Sequence, residues 1–341
     1  MGGKSIPILA AIAAAHFALA VLIGERPLAS YFTAAWFNEV LSVMMLPAIA
    51  WFVIRFIRMM RYGTKRPSRY MRRVIYVDRH WFLRAGVLLG CYILVNRAYR
   101  ALKVAIPRLN DFYADPYFIK IDRAIFGTDP WRITHAIFGP EATGIIDFLY
   151  VLWVPVIVLM FVWAIFSRDR HFQFRAASTY LVIWILIGNV LATLLASVGP
   201  CFYDAQFDST YFAPLMEQLH QIEGLRALKI QEFLLSATGD ESIGAGISAM
   251  PSVHVAMTTL LVLMAWDRFG PRWQTGLALA YHVTIFVGSV HLAWHYAVDG
   301  MLSMALVALL WFGIAACLNG PRKQVAIAPA DQTDSQKPLA S

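Results

Sequence analysis

Two short stretches of the sequence combine chemically active side chains with apolar runs long enough to form helices. One is Pro-Ser-Val-His at 251–254, and the other carries His295 and Asp299 four residues apart. Neutral imidazole attacks phosphorus well once a carboxylate accepts its N–H and fixes the tautomer. We therefore expect His295 to be a nucleophile toward phosphorus and Asp299 to orient it from the same helix face. His254 is the candidate general acid that protonates the leaving alkoxide.

Groups that could hold a phosphate surround this pair. Ser252 offers a hydroxyl, and Pro251 suits the first turn of a helix, whose N–H groups and dipole favour anions. Arg97, Arg100 and Lys103 lie on the outer half of an apolar run. Cations are costly there unless they face a polar cavity or extend to the lipid headgroups. We expect these three cations to help bind the phosphate.

Tyr203 and Asp204 form a further candidate pair. They follow Gly199-Pro200 at the end of another apolar run. They either line the site and contact the substrate or simply end a helix.

A metal site is the competing interpretation of the histidines. His291, His295 and Asp299 are spaced i, i+4 and i+8, as ligands on one helix can be, and His254 would be the fourth ligand. His291 alone is more typical of a packed, hydrogen-bonded residue. We expect no metal and no other cofactor, and activity that survives strong chelation would exclude the metal site.

The composition is that of a membrane protein. Of the 341 residues, 59% are hydrophobic and 15% are charged, whereas soluble domains average about a quarter charged residues. The sequence predicts an all-α, polytopic integral membrane helical bundle with about eight transmembrane helices. Their approximate windows are 6–24, 35–57, 82–106, 144–166, 177–198, 249–266, 274–293 and 297–317.

The net charge of +8 comes from basic residues that lie beside the apolar runs and match no nucleic-acid motif. We therefore expect these residues to set the membrane topology, and we predict no nucleic-acid partner. The basic segment 55–79 belongs in the cytoplasm, and alternation then puts the basic connections 167–175 and 267–273 and both termini there as well. The segments 107–143 and 199–247 lie outside. Both chemical stretches fall on that outer side, which predicts one extracytoplasmic active site.

The outer segments are too long to be simple connectors. The first mixes acidic and aromatic residues and predicts a surface-lying or re-entrant element, and the second predicts one amphipathic helix over 211–236 that caps the site. The predicted organisation is 1–110 N-terminal transmembrane helices with a basic loop, 111–143 outer-face amphipathic segment, 144–317 catalytic helical core and 318–341 disordered cytoplasmic tail.

At these residues the sequence resembles the type 2 phosphatidic acid phosphatase superfamily. Its Pro-Ser-x-His motif matches 251–254, and the His-x-x-x-Asp end of its third motif matches His295 to Asp299. The likeness is closer to the inositol phosphorylceramide synthase branch, through the stretch 248–256 and the segment from Gly199 to Tyr203. The resemblance implies metal-independent chemistry with His295 as the phospho-accepting nucleophile, His254 as general acid and Asp299 as the partner of His295.

Two departures from the family pattern concern cations that bind phosphate. The first motif, Lys-x6-Arg-Pro, is absent, and the Ser-Arg of the third motif corresponds to Gly288-Ser289 here. The predicted cations of the 97–103 stretch are candidates to replace them.

The resemblance implies a membrane phosphotransferase that acts on a lipid phosphate or phospholipid substrate within the bilayer. A lipid phosphate phosphatase would use the same three residues, with water as the acceptor. A proton-coupled transporter is the non-enzyme alternative, because buried His and Asp can relay protons. The lipid donor, the acceptor and the oligomeric state remain open.

Overall fold

The computed structural model describes residues 5–24, 28–63, 66–236 and 246–318, and within these ranges every regular element is helical. The predicted tail at 318–341 lies outside the described residues, except for Leu318. The α-helices are α1 (Ser5–Gly24), α2 (Ala34–Arg61), α3 (Pro67–Leu109), α4 (Asp115–Phe126), α5 (Pro130–Ile137), α6 (Pro140–Val151), α7 (Trp153–Ile165), α8 (Arg170–Val182), α9 (Ala192–Leu194), α10 (Pro200–Phe207), α11 (Ala213–His220), α12 (Arg226–Ser236), α13 (Val253–Phe269), α14 (Trp273–His291) and α15 (Ala297–Leu318).

Four of the described helices are long and apolar enough to cross a membrane. They are α1, the continuous pair α6–α7, the helix that runs from α8 through a π-helical stretch (Ile183–Leu191) to α9, and α15. The other predicted windows fall on α2, α3, α13 and α14, of which α13 has only 17 residues and α3 carries several cations. The all-α membrane class is confirmed, whereas the number of eight spans stays a prediction.

The ends of these helices follow local rules. Proline occupies the first turn of each helix from α3 to α6, where its missing N–H costs no hydrogen bond. Asp169 begins α8 as an N-cap that accepts the amides of His171 and Phe172. Gly127 ends α4 with a left-handed φ of 74°.

Ion pairs join three predicted cytoplasmic segments at one end of the bundle. The carboxylate of Asp78 accepts two hydrogen bonds from Arg168, at 2.6 and 2.9 Å, and one from Arg55 at 3.2 Å. Nearby in the chain, Arg175 donates to Asp267 at 3.0 Å. The basic connections therefore meet one another, as a single topology with these segments on one side requires.

The helices at the C-terminal end of the chain pack tightly. α13 lies against both α14 and α15. Gly300 of α15 allows a close approach, because a Cβ atom there would lie 2.6 Å from the ring of Phe286 and 3.3 Å from Val255. This packing fixes the axis of α15 relative to the start of α13.

The two long outer segments form short helices. α4 and α5 lie within 107–143, and their surface-lying or re-entrant position stays a prediction. The single helix predicted over 211–236 is wrong, because α11 ends at His220 and α12 begins at Arg226, and the connection between them contains Gly224 with a φ of +82°. A left-handed residue ends a helix, and the apolar periodicity does not reveal that break.

Candidate functional site

A cavity of about 500 Å³ lies between α3, α7, α12 and the start of α13. His254 and His295 both line it, as do the three cations predicted to bind phosphate, Arg97, Arg100 and Lys103. The remainder of the wall is largely aromatic and aliphatic. Its apolar residues include Tyr92, Val154, Ile157, Val158, Tyr180 and Trp184.

His254 lies in the first turn of α13. Its ring stacks on Tyr150 with centroids 4.9 Å apart and packs against Trp153 at 4.2 Å. The indole Nε1 of Trp153 also donates to the His254 carbonyl at 3.2 Å. The two aromatic rings hold the imidazole in one orientation, as a general acid requires.

Ser252 and Pro251 lie at and just before the start of α13. Ser252 is the N-cap of α13, fully buried, and its hydroxyl oxygen accepts the amide of Val255 at 3.3 Å. Pro251 precedes the cap and does not lie in the first turn. Ser252 is not among the described residues that line the cavity, and its expected contact with the phosphate stays a prediction.

His295 lies in the turn that joins α14 to α15. Its Nδ1 is 3.3 Å from Oδ2 of Asp299, and the same oxygen accepts the amide of Tyr296 at 3.2 Å. The backbone N–H of His295 donates to the Ser289 carbonyl at 2.9 Å. The expectation that His295 and Asp299 share a helix is wrong, because α15 begins at Ala297; the turn itself brings imidazole and carboxylate together.

The two candidate catalytic rings meet across the cavity. The centroids of His254 and His295 are 5.6 Å apart, with an angle of 61° between the ring planes. His254 comes from the first turn of α13 and His295 from the turn before α15, 41 positions apart in the chain. This arrangement lets both rings reach one small group between them.

The predicted cations project from one stretch of α3. Gly246 packs directly on Lys103, because a Cβ atom there would lie 2.9 Å from the Lys103 Cγ. The chain ahead of α13 thus runs alongside the cations and brings His254 to the same cavity. Arg97 and Arg100 line that cavity, which agrees with the cavity-facing alternative rather than with extension to the headgroups.

Tyr203 and Asp204 lie away from this space. The Asp204 carboxylate accepts the amide of Phe212, and the Tyr203 ring packs against Phe207 at 4.7 Å. Neither residue is among the described residues that line the cavity. The expected substrate contact of this pair stays a prediction, and the alternative that the pair ends a helix is wrong, because both residues lie inside α10.

The helical metal-ligand pattern does not form. α14 ends at His291, so His291, His295 and Asp299 lie on three different elements. Both ring nitrogens of His291 are already bonded, to Thr134 at 3.0 Å and to Thr143 at 2.8 Å. His291 is a packed, hydrogen-bonded residue, and within the described ranges no cluster of three potential ligands occurs.

Several residues that pack against or bond to the site were not predicted from the sequence. Tyr150 and Trp153 gave no signal, because aromatic residues are common in apolar runs. Asp115 and Asp122 lie in the acidic and aromatic segment that did stand out, but nothing in their spacing pointed to the turn that they contact.

The fold and the site together define a helical membrane protein with paired histidines and a carboxylate at one end of its bundle. A family model described as the PAP2 superfamily matches residues 117–313, more than half of the chain. The chain belongs to this superfamily, whose members are generally enzymes that act on lipid phosphates as phosphatases or phosphotransferases. No curated protein and no solved structure matches the chain. The match names no branch, so the inositol phosphorylceramide synthase likeness stays a prediction.

Proposed function

We propose that this protein is a membrane phosphotransferase that transfers the phosphate-linked head group of a lipid, as inositol phosphorylceramide synthases do. The observation that carries the proposal is the approach of the His254 and His295 rings, 5.6 Å apart, in a cavity that contains three cationic side chains. Cations and a histidine pair suit a phosphate ester, and the apolar walls suit the chains of a lipid.

The proposed reaction has two balanced steps. In the first, Nε2 of His295 attacks phosphorus, the bond to the leaving oxygen breaks, and His254 donates its proton to that oxygen. In the second, the acceptor hydroxyl gives its proton to His254 and attacks phosphorus, and the phosphorus–nitrogen bond breaks. Asp299 accepts the Nδ1–H of His295 throughout and stabilises the charge on the ring. No step needs a metal.

The acceptor decides between the two enzyme classes. A lipid phosphatase is the second candidate, because Arg97, Arg100 and Lys103 match the two charges of a phosphate monoester at least as well as the single charge of a diester. Transfer is preferred, since the chain that departs from the phosphatase motifs also carries the synthase-like features, in 248–256 and from Gly199 to Tyr203. The proposed site faces the extracytoplasmic side, opposite the basic connections.

Purified protein in liposomes tests this function. Candidate phospholipid donors and lipid phosphates are supplied with and without an acceptor alcohol. A new phosphodiester supports transfer, whereas free phosphate supports hydrolysis. If no phospholipid reacts, and protons or solutes cross the membrane of the sealed vesicles instead, a transporter function replaces both enzyme functions.

The matched control is another buried histidine. His295→Ala should abolish turnover, whereas His282→Ala should retain it. His282 is 8% exposed against 6% for His295, bonds to Thr258, and is not among the described cavity residues.

A further inference from the structure

The residues between His295 and Asp299 are held by one short helix outside the histidine cavity. Asp122 of α4 is 2% exposed, and its two carboxylate oxygens accept the amides of Ala297 and Val298, each at 2.8 Å. These amides open the first turn of α15. A carboxylate at this position satisfies free N–H groups and complements the helix dipole.

A second carboxylate of the same helix holds the remaining residue. Asp115 precedes Asp122 by two helical turns and lies on the same face of α4. It accepts the hydroxyl of Tyr296 at 3.0 Å. All three residues between His295 and Asp299 therefore bond to α4.

Asp115 also ties this turn to the neighbouring loop. Its carboxylate accepts the hydroxyl of Ser197 at 2.9 Å and the amides of Val198 at 3.1 Å and Gly199 at 2.9 Å. The carbonyl of Ser197 in turn accepts the amide of Ala249, just ahead of α13. One buried carboxylate thus links the turn of His295 to the chain that leads to His254.

The hydrogen bond between His295 and Asp299, which these contacts support, tolerates little displacement. The His295 Nδ1 and Asp299 Oδ2 atoms are 3.3 Å apart, and a few tenths of an ångström more would end the hydrogen bond. Tyr296 precedes α15, and the amides of Ala297 and Val298 in its first turn have no carbonyl of the helix to bond. The geometry of this stretch therefore depends on the groups that it bonds to.

We propose that Asp122 is a positioning residue for the phosphoryl-transfer site, which fixes the turn of His295 so that Asp299 keeps its bond to the imidazole. Asp115 assists through Tyr296. The inference rests on the proposed function in assigning His295 a chemical role, but the positioning itself is a structural relationship that can be measured separately.

Asp147 supplies the matched control. It is 1% exposed, and its two oxygens also accept consecutive backbone amides, those of Arg226 at 2.9 Å and Ala227 at 2.8 Å. These amides open α12, which does not contain His295 or Asp299. Asp122→Asn and Asp147→Asn therefore remove the same kind of bond from two different helix starts.

The test is nuclear magnetic resonance of the full chain in detergent, with ¹⁵N-labelled histidine. An imidazole Nδ1–H bonded to a carboxylate gives a downfield proton resonance, and His295→Ala identifies the one from His295. We expect Asp122→Asn to lose or shift this resonance and Asp147→Asn to keep it, at similar thermal stability. An unchanged resonance in Asp122→Asn, or its loss in both variants, would overturn the proposal.

Kinetics separate this inference from the proposed function. Asp122→Asn should lower kcat by about a hundredfold, the scale of a small misplacement of a reacting group, with KM within a few-fold of the wild type. Wild-type kcat in Asp122→Asn would contradict the positioning role. Should the wild type transfer nothing from any lipid, the proposed function fails, while the resonance still decides whether Asp122 positions His295.

Discussion

The imidazole of His254 packs against the rings of Tyr150 and Trp153, and its centroid lies 5.6 Å from that of the His295 imidazole. His254 comes from the start of one helix and His295 from the turn before another. Nothing in the local sequence around either residue predicts this contact. The packing of the helical bundle brings the two rings together, and their proximity is what allows chemistry at this site.

The carboxylate behind His295 is expected to matter nearly as much as the histidine. Asp299→Asn keeps the size of the side chain but removes the charge. Its amide N–H could donate to Nδ1 of His295, which would favour the wrong tautomer of the imidazole. We expect kcat to fall by about a hundredfold to ten-thousandfold with KM little changed. Steady-state assays in liposomes measure this, and near-normal kcat would remove Asp299 from the mechanism.

The cations of α3 can be tested with a control on the same helix. Arg100→Gln removes one charge from the cavity and should lower kcat/KM by about tenfold to a hundredfold, the scale of a charged hydrogen bond. Arg84→Gln removes a charge 16 residues earlier on α3, where Arg84 bonds to Gln173 at 3.0 Å, and should keep activity. Full activity in Arg100→Gln at normal expression would assign phosphate binding elsewhere.

The lipid chain is expected to contact α12. Phe233 lines the cavity and is 47% exposed, whereas Leu235 is 48% exposed and is not among the described lining residues. Phe233→Ser should therefore raise KM several-fold for a long-chain lipid and less for a short-chain analogue, because it removes apolar contact area. Leu235→Ser is the control. Equal effects of the two variants on both substrates would argue against a chain site beside α12.

The stability of the protein should depend on pH through Asp122. Burial raises the pKa of this carboxyl from 3.8 to about 6; the carboxylates of Asp299 and Asp129 act in the same direction, and the amides of Ala297 and Val298 oppose it. The folded state then binds the proton more tightly than the unfolded state. The stabilisation from this group is complete below the unfolded pKa and is lost as pH rises through about 6.

Thermal denaturation in detergent measures this dependence. From about pH 7 to about pH 4, the wild type should gain on the order of 2 kcal/mol relative to Asp122→Asn, which lacks the titrating group. A constant difference between the wild type and Asp122→Asn across this range would mean that Asp122 does not titrate there.

Chelation tests whether the reaction needs a metal ion. Because His291 bonds to two threonines and lies on a different element from Asp299, the residues near the cavity do not form the predicted helical ligand set. We expect full activity after exhaustive treatment with a strong chelator. Loss of activity that is restored by one added divalent ion would reinstate a metal site.

The sequence predicted the membrane class and the encounter of the two histidines for a physical reason. Apolar runs define helices, basic loops define sides, and the parity of the runs puts 251–254 and His295 on one face. The cations of α3 were found because charge within an apolar run needs a polar surrounding.

The features that the sequence did not reveal depend on contacts far apart in the chain. The bond from Tyr296 to Asp115 spans 181 residues, and no periodicity records it. The break at Gly224 and the N-cap role of Ser252 depend on backbone geometry that apolar patterns do not specify. Even His295 and Asp299 approach through a turn and not through the shared helix that their spacing indicated.

Trapping the intermediate tests the central claim most directly. Protein mixed with a reactive phospholipid donor and no acceptor alcohol is quenched in base, which preserves phosphohistidine, then digested and analysed by mass spectrometry. The account predicts a phosphate-linked adduct on His295 that disappears on addition of acceptor and is absent in His295→Ala. Turnover without this adduct, or an adduct on His254 in its place, would contradict the account.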